Sequence, residues 1–399
     1  MLAFAGLPLL SLLTPFLFLP ILARIAGPDA WLAIAIGQSV GAFAALFVAL
    51  GYNTVGPTAV ALEKGPARPL VLERSIRPRL LLFMPAALLA CTVAALLAPA
   101  PHRIDAALMA LALTLSGLSS SWYMVGLGRA TLIVVYELLP RVVATAIAAV
   151  ALVTLGQVTW YPTLLTVAAL VGTGVFALRT VGLRSLLAAS PGSVRRVFRE
   201  HRTALTTEIA GGTYNSLAVT FVSIAAPVNQ AAEFVSGDKL YRIGQYSASA
   251  LGNALQGWAV EDGPGQFARR ARVALVLHLL LGMLGLACFA ALGPWLSEVL
   301  FGASVAIDLA TAWGLGVATL GIALGTALGR VILVGLGARR EFMTSVLIGA
   351  SIGIPSILAL SAVIGAAGGA WGLAIGEVVS VICQACYVAM RWPREVNHD

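Results

Sequence analysis

Charged residues are scarce in this sequence. They make up 11% of the 399 residues, whereas soluble globular proteins contain about 25%. Hydrophobic residues make up 59%, and the mean hydropathy is +0.94. A surface that faces water needs more charge than this chain can supply. The composition therefore excludes a water-soluble globular protein.

Cysteines are also few, and common enzyme motifs are missing. The four cysteines all lie inside apolar stretches. Cys383 and Cys386 form a CxxC pair without accompanying turn residues, so we interpret them as packing residues rather than a redox or zinc site. No GxxxxGKS, GxxxxGKT or HExxH motif occurs. These absences argue against a disulfide framework, a metal site and ATP hydrolysis, and we expect no cofactor and no catalytic residues.

Apolar stretches fill almost the whole chain. A membrane-spanning helix needs about 20 apolar residues, and stretches such as 80–98 and 273–293 are apolar on every face. We therefore predict an all-helical polytopic membrane protein with about twelve spans. They lie at residues 2–23, 31–52, 80–98, 106–126, 132–155, 162–183, 204–227, 239–259, 273–293, 309–335, 342–364 and 369–390.

The basic residues predict the orientation of these spans. The breaks after even-numbered spans contain 17 lysines and arginines, whereas the breaks after odd-numbered spans contain three. Loops rich in lysine and arginine stay in the cytoplasm. Both termini are therefore expected in the cytoplasm. Because topology accounts for most of the net charge of +8, we predict no nucleic-acid partner.

The longest basic break, at residues 190–202, divides the chain almost equally. We predict an N-terminal six-helix bundle at 1–189, a cytoplasmic linker at 190–202 and a C-terminal six-helix bundle at 203–399, with a central cavity. Each half contains an even number of spans, so both begin on the cytoplasmic side. The halves are then expected to be parallel repeats.

The eighth predicted span carries the clearest polar pattern. Its polar residues are spaced by 3, 1, 3, 4 and 3 positions, which places them on one helical face, while Ile243, Leu251 and Leu255 lie away from it. A polar face about 20 Å long on a spanning helix cannot contact lipid. It lines a water-filled cavity, which we favour, or bonds to other helices. The face consists of Arg242, Gln245, Tyr246, Ser249, Asn253 and Gln256.

Polar residues in other spans are further candidates for a transport pathway. Asn215 lies in the seventh span, and Arg330 lies about 9 Å inward from the glycine turn that precedes Arg339. Arg330 either reaches a cavity or extends to the membrane surface. The same alternatives apply to Arg24 and Arg242, near the outer ends of the first and eighth spans.

Three titratable residues also lie within the predicted spans. Glu377 is nearly central in the twelfth span and has no partner nearby in the sequence. It is either a neutral, protonated residue or a site for a coupling ion. Glu208, in the seventh span, is a second candidate for ion coupling. For His278, in the ninth span, an inert neutral imidazole is favoured over a proton relay.

Glycine is abundant, with 41 residues. Helices in lipid associate closely where small residues allow it. Regular glycine spacings therefore indicate either tight packing, which we favour, or a seam between sliding helices. The spacings of four involve Gly321, Gly325 and Gly329 in the tenth span, and Gly368, Gly372 and Gly376 at the twelfth.

Several stretches resemble one family of membrane proteins. LPILARIAGPDAW, followed by a span and ALGYNTVGPTAVA, resembles the first two helices of polysaccharide-biosynthesis flippases, the O-antigen type of the multidrug/oligosaccharidyl-lipid/polysaccharide superfamily. GPWLSEVLFGASVAIDLA resembles the family's turn between the ninth and tenth helices, and the stretch from Val331 to Gln384 resembles its tenth to twelfth helices. These motifs consist of small and apolar residues, so they indicate the fold better than the cargo.

This resemblance implies a MATE-like fold whose two bundles open alternately to the two sides of the bacterial cytoplasmic membrane. It implies that the protein moves a polyprenyl-pyrophosphate-linked sugar from the inner to the outer leaflet. The implied partners are the lipid-linked sugar, membrane lipids and polysaccharide assembly proteins. Related flippases place cavity arginines on the first and eighth helices, so Arg24 and Arg242 are expected to contact the head group.

The residue pattern suits this task. Arginine holds phosphate oxygens through two parallel hydrogen bonds, and sugars need amide, hydroxyl and aromatic groups. The expected substrate-binding residues are Arg24, Arg242, Arg330, Gln245, Tyr246, Asn253, Gln256 and Asn215. We hypothesise a non-enzymatic flippase in which Glu208 and Glu377 are candidates for coupling to H+ or Na+. The alternatives are a cation-coupled multidrug exporter of the same superfamily and, third, an integral-membrane glycan-processing enzyme.

Overall fold

The computed structural model describes residues 2–183, 194–261 and 264–395, and every regular element in these ranges is a helix. Two π-helical segments, Val134–Leu138 and Thr326–Leu333, interrupt the α-helices. This confirms the predicted all-helical fold. The α-helices are α1 (Leu2–Ala49), α2 (Tyr52–Leu62), α3 (Arg68–Leu97), α4 (Arg103–Leu115), α5 (Ser121–Gly126), α6 (Ala130–Ile133), α7 (Leu139–Leu155), α8 (Trp160–Val181), α9 (Val194–Ala225), α10 (Val228–Val260), α11 (Pro264–Phe301), α12 (Leu309–Gly325) and α13 (Arg339–Glu395).

Two of these helices, α1 and α13, each contain two predicted spans. In α1 the backbone breaks at Gly27, with a φ of +78°. In α13 it breaks at Ile364 and Gly365, where Gly365 has a φ of +58°. Glycine adopts such left-handed backbone angles without steric cost because it has no Cβ. The connections between spans 1 and 2 and between spans 11 and 12 are therefore sharp breaks rather than loops.

Among the described residues, eight helical segments are long and apolar enough to cross a membrane. The eight do not include α10, which carries the eighth predicted span, and α9, which carries the seventh, contains residues outside the described part of the chain. Only Ser216–Ala225, the end of α9, forms a shorter apolar helix. The polar residues that single out α10 in the sequence thus lower its hydropathy below that of the eight apolar segments.

The chain divides into two compact units, Met1–Thr220 and Phe221–Asp399. The part of α9 before residue 221 belongs to the first unit, where the Ser39 and Thr220 hydroxyl oxygens lie 2.7 Å apart. The predicted linker at 190–202 lies partly outside the described residues. The domain bounds predicted from the sequence, 1–189, 190–202 and 203–399, therefore stay a prediction.

In the second unit, glycines set the packing of α10 and α13 on α12. A methyl group added at any of them would collide with the neighbouring helix, and the contacted residue numbers rise together. Helices α10, α12 and the second half of α13 therefore run in the same direction, as predicted for even-numbered spans. The paired positions are Gly237 with Leu315, Gly244 with Thr319, Gly252 with Thr326, Gly314 with Ala370, and Gly321 with Glu377.

The first unit contains a similar seam between the second half of α1 and α4. Gly37 packs against Met109, and Gly41 against Leu113. Gly117, which follows α4, packs against Val48. These residue numbers also rise together, so the two segments run in parallel. We call this contact the α1–α4 seam. The contact of Gly237, Gly244 and Gly252 of α10 with α12 and the start of the second π segment is called the α10–α12 seam.

A buried arginine closes the α1–α4 seam. Arg79, which the sequence places in a basic break, is only 1% exposed. Its guanidinium donates to the backbone oxygens of Ser75, Gly117 and Ser119 at 3.2, 3.3 and 2.9 Å. It also lies 5.6 Å from the ring centres of both Tyr52 and Trp122. A buried cation is tolerated where several acceptors and aromatic faces surround it.

Candidate functional site

The predicted polar face of α10 lies beside its packed seam and not within it. None of its six residues is buried; Tyr246 and Asn253 are exposed, and Gln245 and Gln256 are partly exposed. The buried face consists of small residues and one tyrosine: Tyr241, Ala248, Gly252 and Ala259. Exposure alone does not separate polar from apolar positions, because Ile243 is also 44% exposed. Packing between α10 and α12 therefore does not account for the polar residues.

Two of the predicted site residues meet directly. Arg330, in the second π segment, donates from Nη2 to the side-chain oxygen of Asn253 on α10 at 3.1 Å. Arg330 is partly exposed. Among the described residues, no carboxylate forms an ion pair with it. A neutral amide thus positions the guanidinium without cancelling its charge.

Arg242 lies in a different electrostatic setting. Its Nε atom donates to Asp238 Oδ2 at 2.9 Å, one turn earlier on α10, and Asp238 is 2% exposed. Asp238 directly precedes the predicted eighth span, 239–259, but it lies within α10 and neutralises Arg242. An acid four residues before an arginine is a favourable helical pair, and that spacing is the signal that identifies it.

The two arginines are also far apart along α10. Arg242 and Asn253, the residue that holds Arg330, are eleven positions apart in one helix, which corresponds to about 16 Å along the axis. One pyrophosphate group is much shorter than this separation. In this conformation the two arginines are therefore too far apart to hold the same pyrophosphate group.

Glu377 has a partner that the sequence does not reveal. It is 7% exposed, and the Tyr241 hydroxyl on α10 donates to its Oε1 atom at 3.5 Å. On its other side, a Cβ added at Gly321 would lie 2.7 Å from Glu377 Cβ. The glycine stripe of α12 thus makes room for this carboxyl group.

The first unit contains three of the predicted site residues, Glu208, Arg24 and Asn215. Thr54 donates its hydroxyl hydrogen to Glu208 Oε1 at 2.6 Å, while Glu208 Oε2 is buried without a hydrogen-bond partner among the described residues. Arg24 is exposed and lies three residues before the break at Gly27. The side chain of Asn215 lies outside the described residues.

The described residues offer no metal site of three or more histidine, cysteine or acidic side chains, and the four cysteines are free. The letters from Gly349 to Gly353 fit a GxSxG pattern, which in hydrolases marks a strand-to-helix turn. Here they lie inside α13, where the Ser351 hydroxyl donates to the Ile348 backbone oxygen at 2.8 Å. This serine does not stand on a nucleophile elbow.

Solved transporter structures share this arrangement of helices. An inward-facing multidrug resistance MATE family transporter of the MOP superfamily aligns with a TM-score of 0.70 and 16% identity, over 99% of this chain and 96% of that one. The lipid II flippase MurJ, in an inward closed conformation, aligns with a TM-score of 0.68 and 11% identity, over 98% and 88%. A MATE protein in complex with MaL6 aligns at 0.60 and 14% identity, over 98% and 95%.

No protein-family model and no curated protein matches the sequence. The structural likenesses have low sequence identity, so they establish the fold and not the activity. The chain is an all-helical polytopic membrane protein with the fold found in MATE transporters and in MurJ.

Proposed function

We propose that this protein is a flippase of the bacterial cytoplasmic membrane, with both termini in the cytoplasm. It moves a polyprenyl-pyrophosphate-linked oligosaccharide or polysaccharide precursor from the cytoplasmic to the outer leaflet by alternating access. Neighbours with the same fold include both a flippase and multidrug transporters. The choice between these functions therefore depends on the chemistry of the side chains.

The observation that carries the proposal is the contact between Arg330 and Asn253. A partly exposed guanidinium that is held by a neutral amide keeps its charge for an anionic ligand. A pyrophosphate in a membrane needs such a cation, and the planar guanidinium can hold two of its oxygens at once. A cationic drug would instead be repelled by it. This favours the lipid-linked sugar over multidrug export.

The rest of the polar face of α10 suits a sugar. Tyr246 and Asn253 are exposed, and Gln245 and Gln256 are partly exposed. Their amide and hydroxyl groups match the hydroxyl groups of a sugar, and an aromatic ring can pack against its apolar face. Arg24, Arg242 and Asn215 remain candidates for contacts with other parts of the head group. Glu208 and Glu377 remain candidates for coupling to H+ or Na+.

The test is a transport assay in proteoliposomes with a fluorescent polyprenyl-pyrophosphate-linked sugar. Movement to the outer leaflet is measured as the gain of accessibility to an added glycosidase. We expect Arg330→Gln to lower the initial rate at least about tenfold, because a hydrogen bond to a charged group contributes about 1.5 to 3 kcal/mol. Arg330→Lys keeps the charge without the two-pronged geometry and should give an intermediate rate.

The matched control is Arg340→Gln, which removes an exposed arginine from the first turn of α13. It should leave the rate unchanged. A normal rate in Arg330→Gln would contradict the proposed site. Efflux of a cationic drug without movement of the sugar would establish the multidrug alternative, and a covalent change of the lipid-linked sugar in mass spectra would establish an enzyme.

A further inference from the structure

Three buried polar residues follow one another along one face of the second half of α13. Glu377, Ser380 and Gln384 are spaced by three and four positions and are 7%, 9% and 2% exposed. Residues with these spacings lie above one another on a helix. Gln384 donates from Nε2 to Ser380 Oγ at 3.3 Å. We call these three residues the α13 polar file.

The glycine stripe of α12 and the second π segment faces this file. Gly321 lies opposite Glu377, and an added Cβ at Gly325 would be 3.7 Å from Gln384 Oε1. An added Cβ at Gly329 would be 3.1 Å from Gln384 Nε2. The absence of side chains on α12 and the π segment leaves space for Glu377 and Gln384, and at Gly329 the ring of Phe342 fills the rest.

In the described part of the chain, no basic side chain forms an ion pair with Glu377. The only titratable neighbour that contacts it among the described residues is Tyr241 of α10. Arg242, next to Tyr241, gives its Nε hydrogen to Asp238. The sequences of α12 and of residues 342–364 contain no titratable residue. His278 of α11 faces Gly252 and bonds through Nδ1 to the Ala274 backbone oxygen.

A buried carboxyl group without a basic partner needs a bound cation or a proton. A hard metal cation requires about six oxygen ligands at short distance. The single polar contact that the described residues give Glu377 is the Tyr241 hydroxyl at 3.5 Å. This arrangement suits a proton, which needs one oxygen, and not Na+.

Gln384 provides the second, independent observation. Its Oε1 atom is buried and has no hydrogen-bond partner among the residues that the structure describes. An unpaired buried acceptor is costly unless a donor reaches it. Water is the smallest such donor, and Gln384 lies seven residues closer than Glu377 to the end of α13 that carries Arg391. The file therefore extends from the buried carboxyl group toward that end of the helix, as far as Gln384.

We propose that Glu377 binds and releases a proton and that Ser380 and Gln384 form its hydrated route toward the Arg391 end of α13. Binding forms one O–H bond on the carboxylate, and release returns the proton to water. The inference deepens the proposed function, on which its role in coupling rests, by choosing H+ over Na+ at Glu377. It also gives the proton a route within the second unit.

The test is infrared spectroscopy of the full-length protein in lipid nanodiscs without substrate. The carbonyl band of a protonated carboxyl group is recorded as the difference between the wild-type spectrum and the Glu377→Gln spectrum. The rate at which this band shifts after transfer to D2O gives the rate of hydrogen exchange. We expect a band in the wild type that is absent in Glu377→Gln. Addition of Na+ should leave the band unchanged.

The route is tested with Gln384→Leu and Ser380→Ala. Each should slow exchange of the band by about tenfold, the equivalent of one lost hydrogen bond. Tyr241→Phe should shift the band frequency without slowing exchange. The control is Ser351→Ala. Ser351 is an exposed serine of α13 whose hydroxyl donates to the Ile348 backbone oxygen, and its loss should change neither the band frequency nor the exchange rate.

Two results would overturn the inference. Loss of the band on addition of Na+ would show that a metal cation replaces the proton. Normal exchange in both Gln384→Leu and Ser380→Ala would remove the route. Because no substrate is present, these outcomes are independent of whether the protein moves a lipid-linked sugar.

Discussion

The α1–α4 seam and the α10–α12 seam both bring parallel helices together at glycines, but the glycines meet different atoms. In the first unit, a Cβ at Gly41 would lie 2.5 Å from the Ala110 backbone oxygen, and one at Gly117 would lie 2.6 Å from that of Ala45. In the second unit, a Cβ at Gly244 would lie 2.7 Å from the Thr319 methyl group.

This difference determines whether each seam can repack by side-chain rotation alone. A backbone oxygen moves only if the whole helix moves, whereas a methyl group moves when its side chain rotates. The α1–α4 seam is therefore a fixed contact. The α10–α12 seam can repack without separating the helices, which suits the unit that carries the proposed substrate arginine.

The arginines at the ends of the seams differ in the same way. Arg79 directs its donors at three backbone oxygens and at the Ser75 hydroxyl, 3.1 Å from Nη2. Arg330 bonds to one neutral side chain across the α10–α12 seam. An arginine whose three nitrogens all donate inside the fold stabilises the fold, whereas a partly exposed arginine with one amide partner can bind a ligand.

The largest expected effect is that of Arg79→Met. Methionine fills a similar length but donates no hydrogen bond, so the backbone oxygens of Gly117 and Ser119 lose the donor that Arg79 supplies, while that of Ser75 keeps its helical partner. We expect a loss of about 4 kcal/mol in the free energy of unfolding. Thermal unfolding in detergent, followed by tryptophan fluorescence, measures it. A melting temperature equal to that of the wild type would contradict the conclusion that Arg79 stabilises the α1–α4 seam.

A smaller effect is expected for Gly37→Ala. The new methyl group would overlap the Ala106 backbone oxygen and lie 2.7 Å from Met109 Cβ. Overpacking of about 3 kcal/mol exceeds the helix-propensity gain of about 1 kcal/mol, so a net loss of about 2 kcal/mol follows. Gly174→Ala is the matched control, because nothing lies within 4 Å of its added Cβ; this variant should unfold no earlier than the wild type.

The smallest effect is expected for Gly244→Ala. Rotation of Thr319 can relieve the contact at the cost of its hydroxyl bond to the Leu315 backbone oxygen, and the gain in helix propensity of about 1 kcal/mol offsets that cost. The melting temperature should stay close to that of Gly257→Ala, whose added Cβ meets nothing within 4 Å. Equal destabilisation by Gly244→Ala and Gly37→Ala, in the same unfolding measurement, would remove the distinction between the seams.

The sequence predicts most of the fold because the fold depends on local properties. Length and hydropathy identify the helices, and the glycine spacings mark the helices that pack closely. The helix breaks at Gly27 and Gly365 each follow from one glycine in the left-handed conformation. The sequence does not distinguish these two glycines from glycines within a helix. The π segment around Arg330 is likewise invisible in the sequence, because it depends on tertiary packing.

The candidate site is predicted less completely. The polar face of α10, including Asn253, follows from helical spacing, and its partner Arg330 follows from its position as a cation inside a predicted span. The bond between Tyr241 and Glu377 joins residues 136 positions apart, so no local pattern reveals it. The burial of Arg79 is also not predicted. A count of basic residues places it with the cytoplasmic arginines, because such a count cannot separate a buried arginine from one that faces the cytoplasm.

The parallel course of α10 and α12 has an electrostatic consequence. The dipoles of parallel neighbouring helices point the same way, so partial negative charge accumulates at the side where both helices end. Arg270, at the start of α11, donates to the Trp258 backbone oxygen in the last turn of α10, and its guanidinium lies 4.9 Å from the Trp258 ring centre. The basic residues that predict orientation thus also neutralise the negative ends of helices that run side by side.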